Sequence, residues 1–260
     1  MNSTLIQALG DRLYDAMATR QTVAPLTSQF ENLSVDDAYR IQQRFVQRRL
    51  DAGETVIGKK IGVTSKAVMD MLGVYQPDFG YLLSGMVYGE GECIPLDTLI
   101  QPKAEGEIAF ILKRDLIGPG VTNAMVLAAT ECVMPCFEIV DSRIRDWKIK
   151  IGDTVADNAS CGVFVLGDKA VSARNVDLAT CGMVFEKNGE VIGTGAGAAA
   201  LGSPVNAVAW LANTLGRLGI PLKAGEAILS GALAAMAPVA AGDSFRVSIG
   251  GIGACSVRFA

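Results

Sequence analysis

Two glutamates, Glu105 and Glu107, lie two positions apart in QPKAEGEIAFILK, a segment that otherwise predicts a buried strand. In an extended chain this spacing places both carboxylates on one face, about 7 Å apart along the strand, while Gly106, Ile108 and Phe110 point the other way. Glu138 lies in a second apolar run, PCFEIV, which also predicts a strand. Carboxylates on apolar strands lose hydration and repel one another, so they favour either open solvent or a shared cation.

The chain contains no histidine. This excludes a His-dependent Ser or Cys triad, a His-ligated zinc or iron site and an imidazole general base. Proton transfer must then use Lys, Asp, Glu, Tyr or Cys. Three carboxylates with water and substrate completing the shell suit Mg²⁺ or Mn²⁺ better than a soft metal. The alternative for Glu-x-Glu is a solvent-facing edge strand, and on these residues alone both interpretations stay open.

The composition predicts a globular protein with a substantial core. Half of the 260 residues are hydrophobic and 19% are charged, which argues against disorder. A net charge of −4 and the lack of a basic cluster argue against a nucleic-acid partner. No apolar run reaches the roughly 18 residues of a membrane span, and the N-terminal stretch has acidic residues and no apolar signal core. We therefore expect no membrane partner and a cytoplasmic location.

The six cysteines are scattered in apolar surroundings without a C-x-x-C pair, so we expect them to be reduced and mostly buried. They are Cys93, Cys132, Cys136, Cys161, Cys181 and Cys255.

The N-terminal part of the chain predicts helices followed by a strand with two lysines. Apolar spacing predicts an amphipathic helix over 3–19, and a capping box at Ser34 predicts a second helix that ends at Gly53. In the predicted strand TVIGKKIGV, Lys59 and Lys60 must face opposite ways, so one of them points toward the interior or a cleft.

Asp78 follows Pro77, which predicts a loop before the next apolar stretch, and an acid in such a position is often a turn former. The sequence next predicts a helix over 123–133 and a strand over 137–144. The segment DTVADNASCG then predicts a tight polar loop containing Ser160.

The last third of the chain predicts mostly strands. Asn188-Gly189 is a strong hairpin turn signal. Gly195 to Ala200 formally matches G-x-G-x-x-A, but the preceding strand belongs to a hairpin and the next helix begins only at Ser203-Pro204, so we reject a dinucleotide site. Strands dominate after residue 85 and the helices are grouped, which favours an α+β fold over a doubly wound one.

With these residues in view, the sequence resembles the 2-hydroxypentadienoate (2-oxopent-4-enoate) hydratases. These belong, together with the 4-oxalocrotonate decarboxylases, to the fumarylacetoacetate hydrolase superfamily. The resemblance covers nearly the whole chain, and its most specific segments are GKKIGVTSKAV, LGVYQPDFG, QPKAEGEIAFILKRDL, SRIRDW and DTVADNASCGVFVLG. It implies a mixed β-roll or sandwich with flanking helices. We expect residues 1–84 to form a helical cap region that contributes Lys60 and Asp78, and residues 85–260 a β-rich catalytic core.

The resemblance also implies roles for six residues. The metal ligands of the family correspond to Glu105, Glu107 and Glu138, and the metal is expected to be Mg²⁺ or Mn²⁺. The proton-transfer residue corresponds to Lys60 and its carboxylate partner to Asp78. A substrate-contacting serine corresponds to Ser160. Arg143 and Arg145 are better explained as structural ion pairs than as clamps for the substrate.

The implied reaction is the metal-dependent hydration of 2-hydroxypenta-2,4-dienoate to 4-hydroxy-2-oxopentanoate in aromatic meta-cleavage catabolism. Decarboxylation of 4-oxalocrotonate (2-oxo-3-hexenedioate) on the same scaffold is the nearest alternative. Hydrolysis of an acylpyruvate is a weaker alternative, because the related enzymes that catalyse it use a histidine and this chain has none. A scaffold subunit for a partner decarboxylase is the non-enzymatic alternative. We expect a homo-oligomer and a possible complex with 4-oxalocrotonate decarboxylase.

Overall fold

The computed structural model describes residues 1–72 and 74–260. The helices in this part of the chain are α1 Ser3–Thr19, α2 Leu26–Gln29, α3 Val35–Asp51, α4 Lys66–Leu72, α5 Asn123–Ala129, α6 Ile151–Ala156 and α7 Pro204–Gly216. The strands are β1 Val56–Gly62, β2 Asp78–Leu83, β3 Val87–Tyr88, β4 Cys93–Ile94, β5 Pro102–Leu112, β6 Thr130–Asp141, β7 Cys161–Leu166, β8 Gly182–Lys187, β9 Glu190–Ala196, β10 Ala227–Leu229, β11 Ala237–Pro238, β12 Ser244–Ile249 and β13 Gly253–Phe259.

The strands form two sheets. The eight-stranded sheet has the order β2-β1-β10-β5-β6-β7-β3, with β11 also paired to β5, and the five-stranded sheet has the order β4-β13-β12-β8-β9. Phenylalanine rings pack between them: the ring of Phe137 on β6 lies 5.9 Å from that of Phe185 and 6.5 Å from that of Phe245. This two-sheet arrangement with flanking helices confirms the predicted α+β fold.

The two faces of β5 have different environments. A Cβ added to Gly106 would lie 2.9 Å from Val247 Cγ2, so this face of the strand packs closely on the five-stranded sheet. Ala109, which shares a face with Glu105 and Glu107, instead joins the apolar cluster formed with α1 and α3. The glutamates therefore face the helical side of the sheet.

The N-terminal helices form as the apolar spacing predicts. The Asn2 side chain caps α1 by accepting from Leu5 N at 2.9 Å, and Ser34 caps α3 by accepting from Asp37 N at 3.1 Å. Their apolar faces pack together and bury Leu13 and Phe45. No helix in the described parts of the chain is long and apolar enough to cross a membrane.

Three local predictions are wrong. The helix predicted over 123–133 ends at Ala129, because β6 already begins at Thr130 and pairs with β5 along its length. Asp78 does not lie on a loop but opens β2, opposite Gly62 of β1. The loop predicted before Ser160 is largely helical, with α6 followed by a 3-10 turn. In each case pairing or packing with distant residues outweighs local propensity.

The N-terminal segment contributes to the main sheet as well as to the helical layer. β1 pairs with β10 in parallel and with β2 in antiparallel fashion, so both strands of the segment are hydrogen-bonded into the eight-stranded sheet. The boundary at residue 84 stays a prediction. This segment is joined to residues 85–260 by the pairing of β1 with β10.

Candidate active site

The pairing of β5 with β6 brings the three glutamates together. Glu105 lies directly opposite Glu138, and Glu107 lies opposite Cys136, in an antiparallel ladder. Directly opposed residues share a face of the sheet, so all three carboxylates project on the same side. One carboxylate oxygen from each residue lies within 4.8 Å of the others. Glu107 and Glu138 are wholly buried, and Glu105 is partly exposed.

Burial makes this carboxylate cluster unstable in its charged form. Loss of hydration, with the nearby Glu138 charge, raises the pKa of Glu105 to about 7 and raises the pKa of Glu107 well above its usual range. Glu107 Oε2 accepts a hydrogen bond from Gly231 N at 2.8 Å. Glu107 Oε1 and Glu138 Oε2 have no hydrogen-bond partner among residues 1–72 and 74–260.

These buried acceptors without donors are what a divalent cation would satisfy. Hard ions such as Mg²⁺ take carboxylate oxygens as ligands, and a positive ion would offset the mutual repulsion of the glutamates. The donor set contains oxygen atoms alone, which matches a hard ion better than zinc or copper. The residues present therefore fit a divalent metal.

Lys60 supplies one positive charge to the cluster. Its Nζ lies 2.9 Å from Glu138 Oε1, and the side chain is almost wholly buried. In the sheet order, β10 and β5 separate β1 from β6, so three strand spacings of about 4.8 Å each lie between the two residues. The contact is possible because the sheet curls around this face.

The charge state of Lys60 depends on two opposing influences. Burial disfavours the ammonium form, but the carboxylates of Glu138 and Asp78 outweigh burial and raise the pKa of Lys60. Without a bound cation, Lys60 is therefore protonated.

Asp78 reaches the cluster because glycine occupies the opposing position. A Cβ at Gly62 would lie 2.2 Å from Asp78 Oδ1 and 3.4 Å from Lys60 Nζ, so any larger residue would displace the carboxylate. Burial raises the pKa of Asp78 and Lys60 opposes that rise. Asp78 Oδ1 has no hydrogen-bond partner in the described chain. Asp78 is thus held beside Lys60 with one oxygen free to accept.

Ser160 lies on the other side of Asp78, connected through Thr154. The Thr154 hydroxyl is 3.4 Å from Asp78 Oδ2 and 3.4 Å from Ser160 Oγ, and Ser160 Oγ donates to Asp157 Oδ2 at 3.3 Å. The hydroxyls of Thr154 and Ser160 therefore form a buried polar chain that begins at Asp78 and ends at Asp157.

The backbone that carries Ser160 adopts an unusual conformation. Asn158, Ala159 and Ser160 have φ values of 55°, 50° and 52°, in the left-handed region. This conformation costs about 1–2 kcal/mol per L-residue, so the surrounding contacts must hold it. Arg143 Nε donates to Asp157 Oδ1 at 2.5 Å and its Nη1 donates to the Cys161 carbonyl at 2.8 Å.

Arg143 therefore forms a structural ion pair with Asp157, as the sequence analysis predicts. The Asn158 side chain also exchanges two hydrogen bonds with the backbone of Tyr81, at 2.8 and 2.9 Å, which fixes the turn on β2. Arg145 is exposed and forms no ion pair with any described residue, so the prediction of a structural ion pair is wrong for Arg145.

A cavity of about 50 Å³ opens onto these groups. Its polar wall consists of Lys60, Asp78, Glu105, Thr154 and Ser160. Thr154 was missed by sequence reasoning, because one threonine among many carries no distinguishing signal until the fold places it between two other site residues. The cleft thus combines one carboxylate of the glutamate cluster, an ammonium–carboxylate pair and two hydroxyls.

Comparison with known proteins identifies the family of this chain. The family described as Fumarylacetoacetate (FAA) hydrolase C-terminal matches residues 60–260. The chain belongs to the fumarylacetoacetate hydrolase family. The matched range begins at Lys60 and includes all the site residues described above.

Within this family, similar proteins are hydratases and a decarboxylase. A 2-hydroxypent-2,4-dienoate hydratase from Pseudomonas putida is 73% identical and covers 85% of this chain and 100% of its own length. A 2-hydroxyhexa-2,4-dienoate hydratase from Comamonas testosteroni is 59% identical, with coverage of 98% and 97%. The structure of 4-oxalocrotonate decarboxylase from Pseudomonas putida G7, complexed with magnesium and adipate, is 38% identical with a TM-score of 0.96, covering 100% and 99%. The resemblance to the hydratases is confirmed.

Proposed function

We propose that this chain is a hydro-lyase that converts 2-hydroxypenta-2,4-dienoate and water into 4-hydroxy-2-oxopentanoate, within aromatic meta-cleavage catabolism. The observation that carries the proposal is the convergence of Glu105, Glu107 and Glu138 beside Lys60, in a chain 73% identical to a named 2-hydroxypent-2,4-dienoate hydratase. A small-molecule substrate suits the small buried cleft.

The three glutamates would hold the divalent metal, with Mg²⁺ or Mn²⁺ as our proposed ions. The named magnesium complex of the 38% identical decarboxylase supports a divalent ion. When bound, the ion would supply a positive charge that attracts the substrate carboxylate and stabilises negative charge developing on the 2-oxygen. Glu107 is fixed for this task by Gly231 N, which leaves its other oxygen free.

Lys60 and Asp78 would transfer protons to and from the substrate, beginning at C5, the carbon farthest from its carboxylate. Ketonisation removes the proton of the 2-hydroxyl and adds one at C5, which yields a 2-oxo-3-enoate. Lys60 is suited to give the proton to C5 because its ammonium form is favoured by Glu138 and Asp78. A cation held by Glu138 would compete with Lys60 for that carboxylate and so oppose the rise in the pKa of Lys60.

The two hydroxyls would position the water that adds at C4. Ser160 can donate to Asp157 or toward Thr154, so its lone pairs remain able to accept from a water or to orient the substrate. Asp78, with one unpartnered oxygen, can accept a proton from that water while C3 receives the balancing proton. Addition of water across C3 and C4 gives 4-hydroxy-2-oxopentanoate.

Decarboxylation of 4-oxalocrotonate is the second candidate, because the decarboxylase structure matches at a TM-score of 0.96. One experiment separates the two: both substrates are assayed with Mg²⁺ or Mn²⁺, with and without chelator. We expect loss of dienoate absorbance that chelator prevents, and little release of CO₂. Faster decarboxylation than hydration would reverse the assignment, and undiminished activity after chelation would refute the metal role.

We also propose an oligomeric assembly and a cellular location for the enzyme. We infer a homo-oligomer, a possible complex with 4-oxalocrotonate decarboxylase and a cytoplasmic location. Size-exclusion chromatography with light scattering, alone and after mixing with that decarboxylase, tests the first two.

A further inference from the structure

We propose that Lys103, which lies against the Trp147 wall of the charged cleft, binds the substrate carboxylate and so fixes which end of the substrate meets Lys60. This inference rests on the proposed hydratase function and deepens it by naming a further substrate-binding residue. The observation that carries it is a half-buried ammonium group, close to the glutamate cluster, that has no counter-ion among the described residues.

Lys103 lies on the same face of β5 as the metal-binding candidates. It is two residues before Glu105, so the period of the strand directs its side chain to the side that carries Glu105 and Glu107. Its Nζ lies 4.3 Å from the centre of the Trp147 ring, and it forms no ion pair with any residue in the ranges 1–72 and 74–260. The ring attracts the ammonium group but offers no acceptor oxygen, so an anionic partner is still lacking.

The ring that holds Lys103 is itself fixed in place. Trp147 has a φ of 55°, in the left-handed region that L-residues disfavour. Its indole nitrogen donates to the Gln101 carbonyl at 2.9 Å, and the Gln101 side chain donates to the carbonyls of Ser142 and Ile144 at 2.7 and 2.6 Å. Trp147 lines the charged cleft and also a hollow of about 450 Å³ that Lys103 lines. Lys103 is therefore held beside the cleft.

The Lys103 side chain is long enough to contact a ligand held at the glutamates. The Cα atoms of Lys103 and Glu105 lie about 7 Å apart along the strand, because each residue advances the chain by about 3.4 Å. The flexible four-carbon stem of a lysine can cross such a span. A carboxylate drawn to an ion beside Glu105 would thus lie within reach of the ammonium group.

Lys103 and Lys60 approach the glutamates from opposite ends of β5. Lys60 pairs with Leu229 of β10, and Leu229 pairs with Ala109 of β5, so Lys60 is level with Ala109. Lys103 lies six residues before that position, with Glu105 between them. A substrate whose carboxylate contacts Lys103 would therefore direct C5, the carbon to be protonated, toward Lys60.

Charge balance makes Lys103 the better partner for the carboxylate. Lys60 already lies 2.9 Å from Glu138 and close to Asp78, whereas Glu105 is the carboxylate near Lys103. A substrate carboxylate at the Lys60 end would be repelled by Asp78, and at the Lys103 end it would gain an opposite charge. Hydrogen bonds between charged groups are roughly twice as strong as those between neutral groups.

The test removes the charge from each partner in turn. The probes are 2-oxopentanoate, a saturated analogue of the substrate, and 2-oxopentanamide, which has the same carbon chain without the charge. We expect Lys103→Met to weaken binding of 2-oxopentanoate roughly tenfold to hundredfold, because a hydrogen bond between charged groups is lost, and binding of 2-oxopentanamide by less than about twofold. Lys103→Arg should restore most of the loss. Calorimetry at a Mn²⁺ concentration that saturates each variant measures both affinities.

Lys148→Met is the matched control. Lys148 is exposed, lies next to Trp147 in sequence and pairs with Asp146 at 3.1 Å, so this variant removes the same charge from the same region. It should leave both affinities unchanged. In turnover of the dienoate, Lys103→Met should raise KM and change kcat by less than about threefold, since the proposed proton-transfer groups are untouched.

Three results would overturn the role of Lys103: wild-type affinity for 2-oxopentanoate in Lys103→Met, equal losses for the acid and the amide, or the same loss in Lys148→Met. Thermal melting shows whether each variant is folded, and Lys103→Gln replaces Lys103→Met if the latter is not. Failure of the wild-type chain to hydrate any dienoate would refute the proposed function instead, and the binding measurements would still decide whether Lys103 holds a carboxylate.

Discussion

Lys59 and Lys60 are neighbours on β1, equally buried, and face opposite sides of the sheet. Lys59 Nζ lies 2.6 Å from both oxygens of Glu226, and Glu226 Oε2 also accepts from Lys223 N at 2.9 Å. One carboxylate and one ammonium group satisfy each other there. The charges of Lys59 and Glu226 therefore balance without a further ligand.

The Lys60 side of the strand has more negative charge than its protein donors can balance. Four carboxylates, from Asp78, Glu105, Glu107 and Glu138, surround one ammonium group. Several of their buried oxygens have no hydrogen-bond partner among the described residues. A buried ion pair is thus weak evidence of function, whereas an imbalance of buried charge is strong evidence that a ligand belongs there.

Removing a carboxylate from the unbalanced side should have the largest effect. We expect Glu107→Ala to abolish metal-dependent turnover, because one of three proposed ligands is lost, while the fold is retained. Glu107→Gln keeps the shape and removes the charge, and it should weaken metal binding as well. Isothermal titration calorimetry with Mn²⁺ and circular dichroism measure the two properties; wild-type metal affinity in both variants would contradict the ligand role.

Exchanging each lysine for methionine tests the comparison directly. We expect Lys60→Met to slow the chemical step roughly 10²-fold or more in single-turnover kinetics, as for loss of a general acid. Lys59→Met is the matched control: it leaves Glu226 buried without its ammonium partner, so it should lower the free energy of unfolding by about 3–5 kcal/mol and leave the turnover of the folded fraction unchanged. The reverse pattern, an active Lys60→Met and a stable inactive Lys59→Met, would move the proton transfer to the other face.

The apparent metal affinity should depend on pH. Glu105, with a pKa of about 7, and Glu107, with a pKa well above its usual range, must lose protons when the metal binds. Lowering the pH from 8 to 6 therefore populates the protonated carboxylates and weakens binding by up to about tenfold per pH unit for each proton displaced. Calorimetry in two buffers of different ionisation enthalpy counts those protons. A pH-independent affinity would show that the carboxylates are already ionised without the metal.

The smallest expected effect concerns Thr154. Thr154→Val keeps the side-chain shape and removes the hydroxyl between Asp78 and Ser160, so we expect kcat to fall by several-fold, within the 0.5–1.5 kcal/mol that is typical of one hydrogen bond. A purely structural role would instead lower the thermal stability and leave kcat and its pH profile unaltered.

The sequence predicts the placement of some site residues but not of others. Alternation along β5 suffices to place Glu105 and Glu107 on one face, because the side-chain period of a strand is two residues. That Glu138 lies opposite Glu105 could not be read from spacing, since register depends on pairing over the whole β5–β6 ladder. The resemblance named Lys60, Asp78 and Ser160, and their roles stay predictions.

The errors have a common cause. Asp78 follows a proline and so predicts a loop, yet pairing with Gly62 draws it into β2. Thr154 and Asp157 lie in a polar segment typical of turns, but contacts with residues far along the chain keep that segment helical and buried: Asp153 accepts hydrogen bonds from Thr27, and Asp157 pairs with Arg143. Contacts between residues far apart in sequence decided these positions, and no local pattern encodes them.

The opposition of Glu105 and Glu138 constrains how the chain can change in length. A side chain in a strand reverses its direction with each residue, so one residue inserted within β6 before Glu138 would turn that carboxylate into the space filled by Phe185 and Phe245. The connection between the two strands, from 113 to 129, can change in length without shifting the register of the β5–β6 ladder. An insertion at an exposed position of that connection, such as Arg114, should accordingly preserve the site, whereas an insertion inside the ladder should abolish activity.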